Sequence, residues 1–310
     1  MLAKVTIVCG ASGFIGRHVS RALARRGTTV FGVGHGDWEV GQQEDWGLSR
    51  WIEADISIPS LTRLLDGRPL AALIHCAGGS AVARSYSEPL EDFRRTVDST
   101  AEILEFARML PGNKPRVVVT SSAAVYGDQG DMDATEASVC SPISPYGFHK
   151  LAAENLCASY ARFFAVPVSV VRLFSVYGEG LRKQLLWDAS KRFVRGEPEF
   201  FGTGHELRDW IHVEDAASLL CAASLAPQAL FTLYNGGNEQ ATTRDVLAKL
   251  GHLLNSSSLP FFTGTTHTGN PRRLTADCAH ARHQLGWQPQ VQLPHGLSRY
   301  AQWFKAAHSP

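Results

Sequence analysis

The sequence predicts an α/β protein: a doubly wound parallel sheet followed by a smaller mixed α/β C-terminal lobe. Three observations predict it. Short apolar runs alternate with helical patterns through the first half, a glycine-punctuated turn joins the first run to the first helix, and the pattern changes after about residue 178. Strands buried on both faces read as continuous apolar runs, whereas strands with one wet face alternate.

The run KVTIVCG (4–10) is the first strand, and FIGRHVSRALARRG (14–27) repeats apolar residues at helical spacing before ending on glycine. A strand TTVFGVG (28–34), a short strand SRWIEAD (49–55) and a helix SLTRLLDG follow. The strand AALIHCAGG (71–79) leads into a long helix around PLEDFRRTVDSTAEILEFARML. The strand RVVVTSSAAVYG (116–127), the helix GFHKLAAENLCASYARFF (147–164) and the strand PVSVVRLFSVYG (167–178) complete the alternation. Parallel strands need crossover connections, and these helices supply them. We therefore expect a first domain over residues 1–178 and a smaller lobe over 179–310, from which 211–237 returns to the first sheet through LFTLYNGG. In that lobe EGLRKQLLWDASKRFVRG and ATTRDVLAKLGHLL read as helices, and NSSSLPFFTGTTHTGNPRRL as loop. A lobe so placed would close over the carboxyl ends of the strands, where ligands bind in open α/β sheets.

Composition excludes several function classes. With 44% apolar and 19% charged residues the chain is an ordinary globular one, and a formal charge of +1 gives no general attraction for nucleic acid or a membrane surface. The cysteines at 9, 76, 140, 157, 221 and 278 form no CxxC pair, which suits reduced thiols in a cytoplasmic protein and suggests no metal site. MLAKVTIVCGASG enters a strand directly and leaves no room for a signal peptide. No apolar run approaches the roughly 18 residues that a membrane span needs.

The first turn, VTIVCGASGFIGRHV, sets Gly10, Gly13 and Gly16 between a strand and an amphipathic helix. Glycines let the backbone turn tightly and approach a pyrophosphate, whose charge then rests on the helix N-terminus, as in a Rossmann-type dinucleotide site. The spacing is G-x-x-G-x-x-G rather than G-x-G-x-x-G. An acidic residue is expected about 20 positions on, bonding the ribose hydroxyls. Instead the second strand ends on Gly34 and His35, and Asp37 falls late. A phosphorylated ribose near His35 or Arg17 is then open, and the cofactor is NAD or NADP. Asp55 falls where a carboxylate would bond the adenine amine or cap the next helix. Phe14, Ile15, Ile56, Ala77 and Gly78 complete the candidate cofactor contacts.

SPYGFHK (144–150) begins a helix in which Tyr146 and Lys150, four apart, share one face. A free phenol titrates near 10 and is a poor base at neutral pH. A neighbouring ammonium, with the positive ring of an oxidised nicotinamide, would lower that value and let Tyr146 take a hydroxyl proton while hydride leaves the carbon. Ser122, closing the strand VVVTSS, would hold the reacting oxygen.

In these motifs the chain resembles the extended short-chain dehydrogenase/reductases, in their nucleotide-sugar epimerase/dehydratase branch. The resemblance covers nearly the whole chain and rests on GASGFIG, IHCAG, TSSAAVYG, SPYGFHK, RLFSVYGEG, RDWIHVEDAA and LGWQP in that order. It implies Ser122, Tyr146 and Lys150 as a catalytic triad, the three glycines at the pyrophosphate, and Lys150, with Tyr146, at the nicotinamide ribose. Members that resemble 4,6-dehydratases carry an Asp-Glu pair after the catalytic Ser/Thr; here Ala123 and Ala124 stand there, so elimination lacks its acid and base. The substrate implied is a nucleotide-diphosphate sugar. Arg208 is the phosphate candidate, Ser175 stands where relatives place an asparagine, and Thr96 likewise. Arg182 with Lys183 reads as a substrate-facing basic pair or as a solvated helix face, and HTGN with His267, followed by Arg272 or Arg273, replaces an Arg-Pro-Gly-Asp segment. Asp215 reads as a helix cap rather than a ligand contact. The helices around 90–110 and 147–164 would pair with a second copy in a homodimer. The expectation is an NAD(P)-dependent nucleotide-sugar 4-epimerase. The alternatives are an NAD(P)H-dependent 4-ketoreductase or a non-catalytic cofactor-binding protein.

Overall fold

The computed structural model describes residues 4–307 apart from 37, 40, 80, 227–228 and 266–268. In chain order the first strands are β1 Val5–Cys9, β2 Thr29–Gly34, β3 Leu48–Glu53, β4 Leu70–His75, β5 Arg116–Ser122 and β6 Val168–Leu173. There follow β7 Ser175–Tyr177, β8 Glu199–Phe200, β9 Leu207–His212, β10 Phe231–Gly236, β11 Glu239–Thr242, β12 Phe261–Phe262 and β13 Arg273–Leu274. The main sheet runs β10-β6-β5-β4-β1-β2-β3 with every pairing parallel. Strand order reverses between β1 and β4, which opens a crevice at the carboxyl ends there.

The apolar runs read as strands because both faces of the sheet are covered. Val8, Val118 and Val171 pack with the helices Phe14–Ala24 and Val213–Ser224. Ile7, Val117 and Val170 point the other way, toward Ile58–Leu65, Ser99–Met109 and Pro145–Phe164. Capping fixes where these helices start. Ser57 and Ser60 exchange a capping box, and Ser144 Oγ accepts from Gly147 N at 3.1 Å with Pro145 in the first turn. Residues 94–98 form a π-helical turn between the helices Pro89–Phe93 and Ser99–Met109.

The second sheet centres on β9, which pairs antiparallel with β11 and parallel with β7 and β13. Tyr177, Leu186, Phe193, Trp210, Leu247 and Tyr300 make the core beneath it. Asp215 is not the cap expected of it. His212 occupies that position, and the Asp215 carboxylate, inside the first turn, accepts from the backbone of Gln290 at 2.8 Å and Val291 at 2.9 Å. Those partners lie far along the chain, so the carboxylate fastens the C-terminal segment instead. Among the described residues no helix is long and apolar enough to cross a membrane, and no group of three or more His, Cys, Asp or Glu side chains is placed to hold a metal.

One buried network ties the sheet to the helix Pro145–Phe164. Arg172 on β6 pairs with Glu154 at 2.6 Å, with side chains 4% and 5% exposed. Arg172 also donates to Tyr126 Oη, which donates to Asn235 on β10, and Ser121 donates to Glu154. Removing one member of such a pair leaves an uncompensated buried charge, which costs about 3–5 kcal/mol. Arg172→Met is expected to lose stability of that order in a denaturant titration, and the double variant Arg172→Met/Glu154→Leu much less.

Candidate active site

The carboxyl ends of the central strands open into a cleft of ≈ 1260 Å3 bounded on the far side by the second lobe. At its floor the glycine turn earns its composition residue by residue. Gly10 sits at φ +77°, and a Cβ there would stand 2.8 Å from Ala77 N. A Cβ on Gly16 would come 2.0 Å from the Gly10 carbonyl, so Gly16 lets the helix seat on the turn and does not itself line the cleft. Gly13 is the N-cap of the helix Phe14–Ala24 and has no side chain to cap it. The first-turn N–H groups therefore face the cleft with the positive end of the helix dipole, and the turn fits a pyrophosphate. Phe14, Ile15, Ala77 and Gly78 line the cleft with Gly10 and Gly13.

At the outer end lie His35, Asp55 and Ile56, joined by Asp98, Ser99 and Glu102. His35 Nε2 is 2.7 Å from Asp55 Oδ1, and the His35 carbonyl accepts from Ser12 Oγ at 2.6 Å. Asp55 is not the helix cap; Ser57 is. Arg17 turns away: it donates to the Ser12 carbonyl at 2.7 Å, and its guanidinium stacks 5.1 Å from the Trp38 ring and 5.3 Å from Trp46. Asp37 lies outside the described residues.

At the inner end the structure brings Ser122, Tyr146 and Lys150 together. Ser122 ends β5 and lines the cleft beside Tyr146, its Oγ accepting from Ala124 N at 3.2 Å. Ser85 Oγ accepts from Tyr146 N at 3.0 Å. Lys150 is 5% exposed, its Nζ donating to the Thr120 carbonyl at 3.1 Å and lying 5.8 Å from the centre of the Tyr146 ring. Burial pulls the Lys150 ammonium down to about 8, against the raising influence of the Asp92 and Glu154 carboxylates. Burial likewise pushes the Tyr146 phenol up, with the Ser122 hydroxyl pulling it back. The lowering expected from the lysine is thus not what this chain alone gives, because burial opposes the phenolate and Nζ is turned to Thr120.

The second lobe contributes Ser175 and Arg208 to the cleft. Arg208 donates to the Leu207 carbonyl at 2.8 Å and to Asn270 Oδ1, and burial lowers it. Two of the expected substrate residues are elsewhere. Arg182 is exposed, 5.9 Å over the Trp303 ring, and its neighbour Lys183 lines the cleft instead. Arg272 pairs at the surface with Asp131, and Arg273 with Asp133. His267 lies outside the described residues. Sequence reasoning missed Asn270, Gln184, Phe201, Glu206 and Thr243, all lining the cleft. Gln184, at φ +67°, carried no signal at all. Thr96 bonds the protein itself, accepting from Gly79 N at 3.0 Å.

The shifted lysine has a measurable consequence. The unfolded chain holds this proton up to 10.5, the folded protein only up to about 8. Between those values the unfolded state binds more protons, so stability gains with rising pH. That gain, roughly 3 kcal/mol over the window, is expected to vanish in Lys150→Met, measured by denaturant unfolding from pH 7.5 to 10.5.

The chain is similar to known proteins over nearly its whole length. A UDP-glucose 4-epimerase from Mycolicibacterium smegmatis is 29% identical over 97% of this chain and 98% of its own length. A UDP-glucuronate 4-epimerase from Thermodesulfobacterium geofontis is 26% identical, with 96% and 95% covered. The UDP-glucuronic acid 4-epimerase from Bacillus cereus, solved in complex with UDP-glucuronic acid and NAD, superposes with a TM-score of 0.87 at 25% identity, covering 98% of this chain and 99% of that one. Residues 6–236, from β1 to the end of β10, match the model of one family, and by that match the chain belongs to the NAD-dependent epimerase/dehydratase family.

Proposed function

We propose that this protein is an NAD-dependent UDP-sugar 4-epimerase in which Ser122, Tyr146 and Lys150 are catalytic. The observation that carries the reading is that these three side chains meet at the inner end of the cleft whose floor is the glycine turn, with Ala123 and Ala124 beside them. Elimination of water would need an acid and a base where those alanines stand. Ser122 would hold the C4 oxygen, and Tyr146 would take its proton and later return it. A bound nicotinamide would supply hydride acceptance and return. Return to the opposite face requires a keto sugar to turn over within the pocket, whose ≈ 1260 Å3 exceeds the roughly 300–1,000 Å3 of an ordinary small-molecule site. Arg208, steadied by Asn270, would take the diphosphate.

NAD is preferred to NADP because the carboxylate of Asp55 stands beside His35 and Arg17 is turned to Ser12, so a 2′-phosphate would meet a negative charge. The NAD in the Bacillus cereus complex supports the same choice. A homodimer through the helices Pro89–Phe93 and Pro145–Phe164 would cover the exposed Leu90, Phe148 and Phe163. Free cysteines throughout suit the cytoplasm.

The test follows UDP-glucose, UDP-glucuronate and their C4 epimers by NMR. Inversion at C4 with no net change in NADH absorbance is expected; stoichiometric consumption of NADH by a 4-keto sugar would make the protein a reductase and sink this reading. Tyr146→Phe is expected to lower kcat by about 10²–10⁴-fold and leave NAD affinity nearly unchanged by calorimetry. Asp55→Asn is expected to narrow the preference for NAD over NADP in the same measurement.

A further inference from the structure

Against the Gly78–Gly79 loop lies a second pair of titratable groups that the reaction does not itself require. Asp92 lies in the short helix Pro89–Phe93 before the π-helical turn, and His149 immediately precedes Lys150. His149 Nδ1 is 2.6 Å from Asp92 Oδ2, with side chains 17% and 4% exposed. The other carboxylate oxygen abuts Gly79, where a Cβ would come 1.9 Å from Oδ1, and a Cβ on Gly78 would come 3.1 Å from Lys150 Nζ. The loop is thus clamped between the Asp92 carboxylate and the Lys150 ammonium, with Thr96 accepting from Gly79 N. We propose that Asp92 and His149 are a positioning dyad that holds this loop against Lys150 and sets the pH range over which Tyr146 and Lys150 exchange their protons.

The charges around Lys150 and Tyr146 single out this pair. Lys150 feels Asp92, Glu154 and Cys76, and acts in turn on His75; Tyr146 feels Asp92. Burial keeps His75 neutral, drawing it down to about 3, and holds the Cys76 thiol well up. Glu154 is matched by Arg172, a permanent cation. From the flanking helices Arg84 is engaged by Glu88 and Arg95 by Glu91. Asp92 differs because its partner is an imidazole. An ionised carboxylate only accepts, so Nδ1 carries a proton, and the state of Nε2 decides whether the pair bears a charge of zero or minus one. The negative pair holds the proton on both the ammonium and the phenol; the neutral pair lets both go.

This inference rests on the proposed role of Tyr146, and its test needs no sugar. Tyrosinate absorbance is titrated in the NAD-saturated protein and in the same protein carrying Tyr146→Phe, the difference giving the midpoint of Tyr146. Asp92→Asn is expected to move that midpoint to lower pH by on the order of one unit, and His149→Lys, which fixes a cation beside Asp92, to move it the same way. His149→Gln leaves Asp92 charged and is expected to produce no such fall. Should Asp92→Asn fail to fold, His149→Lys against His149→Gln gives the same comparison. An unmoved midpoint in Asp92→Asn or His149→Lys, or an equal shift in His149→Gln, overturns the dyad. Absence of C4 inversion with every UDP-sugar would instead overturn the epimerase reading and leave the titration standing.

Discussion

The site depends on one close approach, that of the helix Pro145–Phe164 to the short turn Ala123–Val125 that leaves β5. At Gly147 a Cβ would come 2.6 Å from the Ala124 carbonyl, so only a glycine lets the two backbones meet this closely. Ser144 and Pro145 fix where the helix begins, and Ser85 takes the N–H of Tyr146. The residue before Gly147 is thereby delivered to the end of β5, where Ser122 waits. One helical turn further, Lys150 falls on the same face and under the Gly78–Gly79 loop.

That face is unusual in what it buries. Its N-terminal half carries Lys150 and Glu154 inward beside Ala153, and its C-terminal half buries Cys157 and Ala161. Glu154 has Arg172 and Ser121 as partners, so its burial is compensated. Lys150 has the Thr120 carbonyl and two carboxylates at longer range, and its ammonium falls to about 8. A group held so near neutrality by its surroundings is suited to a catalytic pocket and costly anywhere else. The fold carries that cost on a sheet whose strands are otherwise continuous apolar runs.

What could be read in the sequence was what short spacing encodes. The strand runs, the turn glycines and the pairing of Tyr146 with Lys150 all follow from periods of two, three or four residues, and Ser122 from its place at a strand end. Long cations could not be placed this way. Arg272 and Asp131 are 141 residues apart, and the direction of Arg182 is set by Trp303 from the last helix. Arg17 reads from the sequence as an open phosphate ligand, but in the fold its guanidinium lies over Trp38 and Trp46. Asp92 and His149, 57 apart, carry no local signature. Spacing likewise shows which charges lie near Tyr146 but not its burial, which is a property of the whole fold.

The cleft has a second wall, and a charge network outside it decides where that wall stands. Burial pushes Glu179 up, but His212 at 2.9 Å and Arg299 at 2.6 Å hold its carboxyl down to about 2. Arg299, on the C-terminal helix Leu293–Ala307, also grips Glu214 with its two terminal guanidinium nitrogens at 2.9 Å. The Glu179 carbonyl meets His18 on the helix that follows the glycine turn. The helix that receives the pyrophosphate, the loop that carries Leu181 and Lys183 into the cleft, and the last helix of the chain are thus joined at one acidic residue. The loop leaving β7 therefore presents its side chains to the cleft from a fixed base. Displacement of the C-terminal helix would reach the cleft through Glu179, although no residue of that helix lines it.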